Sequence, residues 1–151
     1  MKREELIEEA IRQLAYSYAP YSHFKVGAAL LTEDGKVYGG CNIENAAFGP
    51  GNCAERTAIF KAVSEGKKKF TRIAIVGGKK GKVTEYCSPC GVCRQVMREF
   101  CQDDFEIILA KSPKDYQVYT LIELLPRSFG PDQLMETDSE IESGDDKNVS
   151  L

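Results

Sequence analysis

A single histidine, His23, stands in 151 residues, and no apolar run is long enough to cross a bilayer. That histidine sits just ahead of a strand-like stretch, where a lone imidazole reads as exposed or structurally bonded and takes no catalytic role. Met1-Lys2-Arg3-Glu4-Glu5 is acidic within five residues and no apolar segment follows it, so secretion is not expected and a reducing cytoplasm is the expected compartment. The six cysteines (41, 53, 87, 90, 93 and 101) are therefore not read as disulfide staples, which a chain this long does not need. No internal repeat is present, which excludes an array architecture. Aromatics are missing from between the lysines of Lys67-Lys68-Lys69 and Lys79-Lys80-Gly81-Lys82, so no stacking platform for a single strand exists there and the runs read as solvated turns. The net charge of −3 also argues against a general polyanion partner. Residues 136–151 hold six acids and Lys147, net −5, so the rest, with 19 basic and 17 acidic residues, stands at +2. Residues 1–135 are expected to form one domain, with 42% hydrophobic residues over the whole chain supplying a core, and 136–151 a disordered acidic tail.

What the chain does have is concentrated in Ser88-Pro89-Cys90-Gly91-Val92-Cys93. Two cysteines three residues apart at the head of a helical pattern fall on one helical face. The free amides and dipole of a helix N-terminus favour the thiolate, the form that binds metal. Ser88 is expected to cap this helix and Pro89 to take its first position. Zinc is the first candidate, but two ligands do not complete a zinc site. Asn52-Cys53-Ala54-Glu55-Arg56, at the head of another helical pattern, offers a third cysteine with a carboxylate two residues on. Spacing alone leaves several readings open. Cys90 and Cys93 also suit a redox pair, and Cys87 would close a four-thiolate structural site with Cys53, Cys90 and Cys93. An iron–sulfur cluster is disfavoured, because Met97 and Arg98 stand where a ferredoxin run has its fourth cysteine and proline. Glu55, three residues after Asn52, also reads as half of a helix-capping box.

Along the chain, Leu6, Ile7, Ala10, Ile11, Leu14 and Ala15 recur at helical spacing and predict an amphipathic covering helix over 3–17. Ala19-Pro20-Tyr21-Ser22 breaks it. A strand follows over 24–32, turned by Glu33-Asp34-Gly35 into a second over 36–42. Phe24 and Val26 share one face of the first strand, and an aromatic there reads as core. Asn42 and Glu44 leave the second strand two residues apart, aimed to one side, as a polar turn would have them. Phe48-Gly49-Pro50-Gly51 is a loop leading to a helix over 53–65. An apolar strand at 73–76, the cysteine helix over about 90–101 and strands near 106–110 and 116–120 complete the order. Helices alternating with strands predict an α/β layered fold. Cys41 and Cys101 read as ordinary buried thiols.

Cys53-Ala54-Glu55-Arg56 followed by Pro89-Cys90-Gly91-Val92-Cys93-Arg94-Gln95 resembles the zinc motif of the small homotetrameric cytidine deaminases. The resemblance continues through Tyr21-Ser22-His23-Phe24-Lys25-Val26-Gly27-Ala28-Ala29-Leu30, Asn42-Ile43-Glu44-Asn45-Ala46 and Leu124-Leu125-Pro126-Arg127-Ser128-Phe129, in family order over 5–135. It implies a three-layer α-β-α fold with a five-stranded mixed sheet. It also implies one zinc per chain on Cys53, Cys90 and Cys93, with a fourth position kept for a water whose pKa the metal lowers. Glu55 would move protons from that water to ring N3 and then to departing ammonia. Phe24 would pack on the pyrimidine, Asn42 and Glu44 would bond the ribose, and the Ala54 amide would meet the pyrimidine carbonyl. Arg56 would offset the excess charge of three thiolates, held in place by Gln95. Phe129 would reach into a neighbour's pocket, so that the tetramer shares its sites. Where many family members have tyrosine, Phe48 stands here, without the hydroxyl. The implied substrates are small nucleosides, cytidine and 2'-deoxycytidine of pyrimidine salvage, with no nucleic-acid or membrane partner. Deaminases of modified cytosine nucleosides such as blasticidin S share the motif, but Asn42 and Glu44 favour an ordinary ribose. A non-catalytic zinc-stapled module is disfavoured by Glu55 beside an open metal position.

Overall fold

A computed structural model describes residues 1–135; the segment 136–151, expected to be a disordered tail, lies outside the described residues. In chain order the elements are α1 (Arg3–Gln13), β1 (Phe24–Thr32), β2 (Val37–Cys41), α2 (Ala54–Ser64), β3 (Phe70–Lys79), α3 (Gly91–Phe100), β4 (Glu106–Ser112), β5 (Asp115–Thr120) and α4 (Leu121–Leu124). The first helix is shorter than its apolar spacing suggests, because the chain tightens into a 3-10 turn at Leu14–Tyr16. β3 is longer than its apolar run. It pairs with β1 from Phe70 to Lys79, with a bulge at Thr71, and those ladder bonds carry the strand through Arg72, Gly77 and Gly78.

Two-residue alternation builds two cores from one sheet. Ala28 and Leu30 of β1, Ile73 and Ile75 of β3, and Ile107 and Leu109 of β4 face α2 and α3, where Ala58, Ile59 and Met97 are fully buried. The intervening residues Ala29, Leu31, Ala74, Val76, Ile108 and Ala110 face α1, which buries Leu6, Ile7 and Ala10. Each large apolar side chain so enclosed contributes about 1.5–3 kcal/mol. One helix thus covers one face and two cover the other, giving the three layers expected. Glycine permits the closest approaches: a Cβ on Gly27 would sit 2.1 Å from the Ala10 carbonyl oxygen, and one on Gly40 2.4 Å from that of Ala54.

The sheet order is β2-β1-β3-β4-β5, antiparallel except for β3 with β4. Since β1 is antiparallel to both neighbours, β2 and β3 run in the same direction and end on the same edge of the sheet. α2 follows β2 and α3 follows β3, so both helices begin above that edge, the place where parallel crossovers leave a crevice. Two cysteine motifs separated by 37 positions are brought together by this topology.

Candidate active site

Cys53 is the N-cap of α2 and Cys90 the N-cap of α3, both extended and neither making a side-chain cap bond. The expected cap at Ser88 with Pro89 in the first helical position is therefore not what forms. Arg94 explains the difference: its guanidinium donates to Ser88 Oγ (2.8 Å) and to the Pro89 carbonyl (2.8 Å), pulling both residues off the helix head and leaving Cys90 in the capping position. The Asn52–Glu55 capping box is absent too. The Asn52 amide donates to Thr57 Oγ1 (3.3 Å), and the Glu55 side chain turns inward, where the residue is 4% exposed.

The sulfurs of Cys53, Cys90 and Cys93 lie within 4.8 Å of one another, with Cys53 and Cys90 3.8 Å apart. Cys87 is not part of this group, so the closed four-cysteine reading is not supported. The trio fits zinc: tetrahedral thiolates at about 2.3 Å from the metal place their sulfurs about 3.8 Å apart. Arg56 reinforces the fit, since it donates to Cys53 Sγ at 3.3 Å while its Nε is buried with no partner among the described residues. A hydrogen bond from Cys93 and the adjacent guanidinium bring the Cys53 thiol down to about 5, and the same sharing raises Cys93. Arg56 in turn is held more firmly protonated by its bond to Cys53.

Cys53, Cys90 and Arg56 line one wall of a cleft of about 700 Å³, with the buried Cys93 behind them, and Ala54, Glu55, Asn42 and Glu44 line it too. The volume lies within the range of small-molecule sites. Burial pushes the Glu55 carboxyl up to about 7, a value suited to accepting and returning a proton near neutrality. Ala54 is fully buried in the first turn of α2, where backbone amides have no intrahelical acceptor. Glu44 accepts from the amides of Tyr21 (3.0 Å) and Ser22 (3.1 Å) and from the Ser22 hydroxyl, which holds it below the usual carboxylate range. Asn42 is more heavily committed. Its Oδ1 accepts from the Val26 amide (2.9 Å) and Ser17 Oγ, and its Nδ2 donates to the Phe24 carbonyl (2.7 Å), leaving one N–H free. Both residues anchor the start of β1 as well as facing the cleft.

Phe24 is 42% exposed rather than core, because it begins β1 at the open edge of the sheet. A Cβ on Gly77 would meet both its ring (3.2 Å) and Cys87 Sγ (2.9 Å), which places the ring beside a residue of the cleft. Gln95 does not bond Arg56. Two residues past the buried Cys93 it lies some 200° around α3, and its amide donates to the Phe129 carbonyl (2.8 Å) instead. Phe129 does not line the cleft of its own chain, whereas Phe48 does, at the mouth. The sequence reading missed Tyr21, Ser22 and Cys87 as cleft residues and Arg94 as the organiser of the Cys90 turn. For Arg94 no local signal existed, since its third bond reaches the Leu124 carbonyl (2.6 Å) thirty positions away. His23 takes no part; it holds a left-handed turn (φ 59°) whose carbonyl accepts from Lys80 N (2.5 Å).

The model of the cytidine and deoxycytidylate deaminase zinc-binding region matches residues 1–109. A cytidine deaminase of Sporosarcina psychrophila is 48% identical over 134 residues, covering 89% of this chain and 96% of that protein. One of Halalkalibacterium halodurans is 51% identical over 129 residues, covering 85% and 95%. The crystal structure of cytidine deaminase from Burkholderia pseudomallei superposes with a TM-score of 0.78 at 46% identity, covering 85% of this chain and all of that one.

Proposed function

The chain belongs to the cytidine deaminase family, and from that premise we propose that it hydrolyses both cytidine and 2'-deoxycytidine to the uracil nucleosides, in pyrimidine salvage, with Glu55 as the proton carrier. One observation carries the reading: the Glu55 carboxyl is buried beside a three-thiol cluster on the wall of a nucleoside-sized cleft. Cys53, Cys90 and Cys93 would hold one zinc ion, which would supply a Lewis acid able to acidify water at neutral pH. Glu55 accepts the proton of the attacking water, delivers it to ring N3 as oxygen adds to the ring, and then assists protonation of the amino group that leaves as ammonia. The raised affinity of its carboxyl for protons suits a group that must hold one between these steps.

The Ala54 amide, free of any intrahelical acceptor, donates to the pyrimidine carbonyl. Glu44 retains acceptor capacity for a ribose hydroxyl, and Asn42 retains one N–H for the same sugar. Phe24 meets the ring face. Arg56 spreads positive charge over the thiolates, which keeps three negative ligands from cancelling the metal's acidity. Phe129, absent from its own cleft, meets the pyrimidine of a neighbouring subunit in a homotetramer, edge to face as aromatic rings prefer.

Absorbance loss on adding cytidine, 2'-deoxycytidine, cytosine, adenosine, blasticidin S and a cytosine-containing oligonucleotide separately tests the substrate class. Turnover of the two nucleosides alone is expected. Turnover of blasticidin S or the oligonucleotide in preference to both would overturn the assignment.

A further inference from the structure

We infer that Arg98 is a positioning residue for Phe129: together with Gln95 it ties the backbone on both sides of that ring to α3, leaving the ring itself projected toward a second copy of this chain. The inference rests on the reading above that Phe129 meets the nucleobase in a neighbour, and it concerns what aims the ring there.

Phe129 is 57% exposed, and its own cleft lies elsewhere. Exposure of a phenyl ring runs against the hydrophobic effect, so a slack segment would fold it down. This segment is not slack. Arg98 Nε donates to Ser128 Oγ (2.9 Å), and Arg98 Nη2 donates to Asp132 Oδ1 (2.7 Å). Gln95 Nε2 takes the carbonyl of Phe129 itself at 2.8 Å. Gly130 lies flat on the guanidinium, since a Cβ there would come within 2.5 Å of Arg98 Cζ. The turn at Pro131–Gln133 closes the segment, with the Gly130 amide donating to Gln133 Oε1 (2.5 Å). The Ser128 hydroxyl, the Phe129 carbonyl and the Asp132 carboxylate are thus held by one helix, while the phenyl group stays exposed. That helix also carries Cys93, so in each subunit the same rigid element sets the direction of the ring and the place of a metal ligand.

The planar fork of arginine suits this task, because two donors separated by a fixed geometry hold Ser128 and Asp132 at once. A purely structural clamp would show the same bonds, so the test separates the two roles. We would measure kcat/KM for cytidine in Arg98→Ala, Phe129→Ala and the double variant, with zinc content and oligomeric state determined on each. Phe129→Ala is expected to lose on the order of a hundredfold, from the lost ring contact. Arg98→Ala is expected to lose at least about tenfold through misplacement of the ring. The double variant should match Phe129→Ala within about twofold, because a clamp has nothing to aim once the ring is gone.

Losses that multiply in the double variant would show that Arg98 acts independently of the ring, and the inference falls. Full activity in Arg98→Ala beside an impaired Phe129→Ala overturns the inference but leaves the shared-site reading standing. Full activity in Phe129→Ala overturns both. If Arg98→Ala loses zinc or does not fold, Gly130→Ala replaces it. Gly130 has an extended backbone (φ −154°) that any residue adopts, so the added methyl changes only the space against the guanidinium. The same non-additivity with Phe129→Ala is then expected, and its absence overturns the inference.

Discussion

Replacing Gly40 by alanine should damage catalysis more than its one methyl group suggests. The added Cβ would stand 2.4 Å from the Ala54 carbonyl oxygen and 2.6 Å from the Ala58 amide nitrogen, both backbone atoms that no rotamer change can move aside. Ordinary contact begins at 3.4 Å, so the first turn of α2 must retreat by 3.4 − 2.4 = 1.0 Å at Ala54. That turn carries Cys53, Ala54, Glu55 and Arg56. Overpacking of this kind costs about 1–3 kcal/mol of stability. A displacement near 1 Å of positioned groups costs about a hundredfold in rate, equivalent to about 2.7 kcal/mol in the barrier. Gly27→Ala is the control, because its Cβ would press still harder on the Ala10 carbonyl, at 2.1 Å, against a helix that carries no site residue. Thermal melts and kcat/KM on zinc-loaded protein decide the matter. Both variants should melt earlier, and Gly40→Ala alone should lose activity out of proportion to its stability. Equal losses of kcat/KM in the two would refute the idea that the β2 contact positions the site.

Zinc content and turnover should separate by residue: Cys90→Ala loses the metal, whereas Glu55→Gln keeps one zinc per chain and loses roughly 10²- to 10⁴-fold in kcat, as general acid–base groups do; near-normal turnover in Glu55→Gln would sink the proton-carrier role. Cys87→Ser should retain one zinc and activity within about threefold of the parent, since Cys87 lies outside the thiol cluster; metal analysis showing loss would revive the four-cysteine site. Glu106, bonded to Arg3 (2.6 Å) and close to Arg72 (3.2 Å), has a carboxyl held below its ordinary range chiefly by the Arg3 bond, so its contribution is present above the unfolded carboxylate pKa and is lost as pH falls through the folded one. Glu106→Gln should therefore lower stability by ~1 kcal/mol at pH 7 and converge with the parent as pH falls through the depressed pKa of the folded carboxyl; a gap that persisted in strong acid would rule out the ionic origin.

The elements and the chemistry were legible locally. The apolar run over 24–32 predicted β1 to the residue, because a strand buried on both faces is apolar along most of its length. The helix heads near Cys53 and Cys90 were legible because thiols at helix N-termini carry their own electrostatic reason, although the cap of the second fell on Cys90 and not on Ser88. Roles that depend on which side of an element meets what were less so. Glu55 in a capping box and Glu55 turned inward place a carboxyl in the same first turn, and only its burial tells the two apart. Phe24 obeyed the strand period that signals core, yet it stands at an open edge of the sheet, which no period records. Gln95, expected to hold Arg56, holds Phe129 because helical rotation carries it away from Cys93.

By itself, then, the sequence determined the ligand types, the carboxylate beside them and the layered α/β class, since each depends on residues a few positions apart. Only the tertiary structure decided that β2 and β3 end on one edge, so that Cys53 meets Cys90 and Cys93 while Cys87 stays out. It also decided that Arg94 and Arg98 bind a segment thirty or more positions away. Those facts follow from strand order and helix packing, which are set by how whole faces bury together and not by the spacing of any one motif.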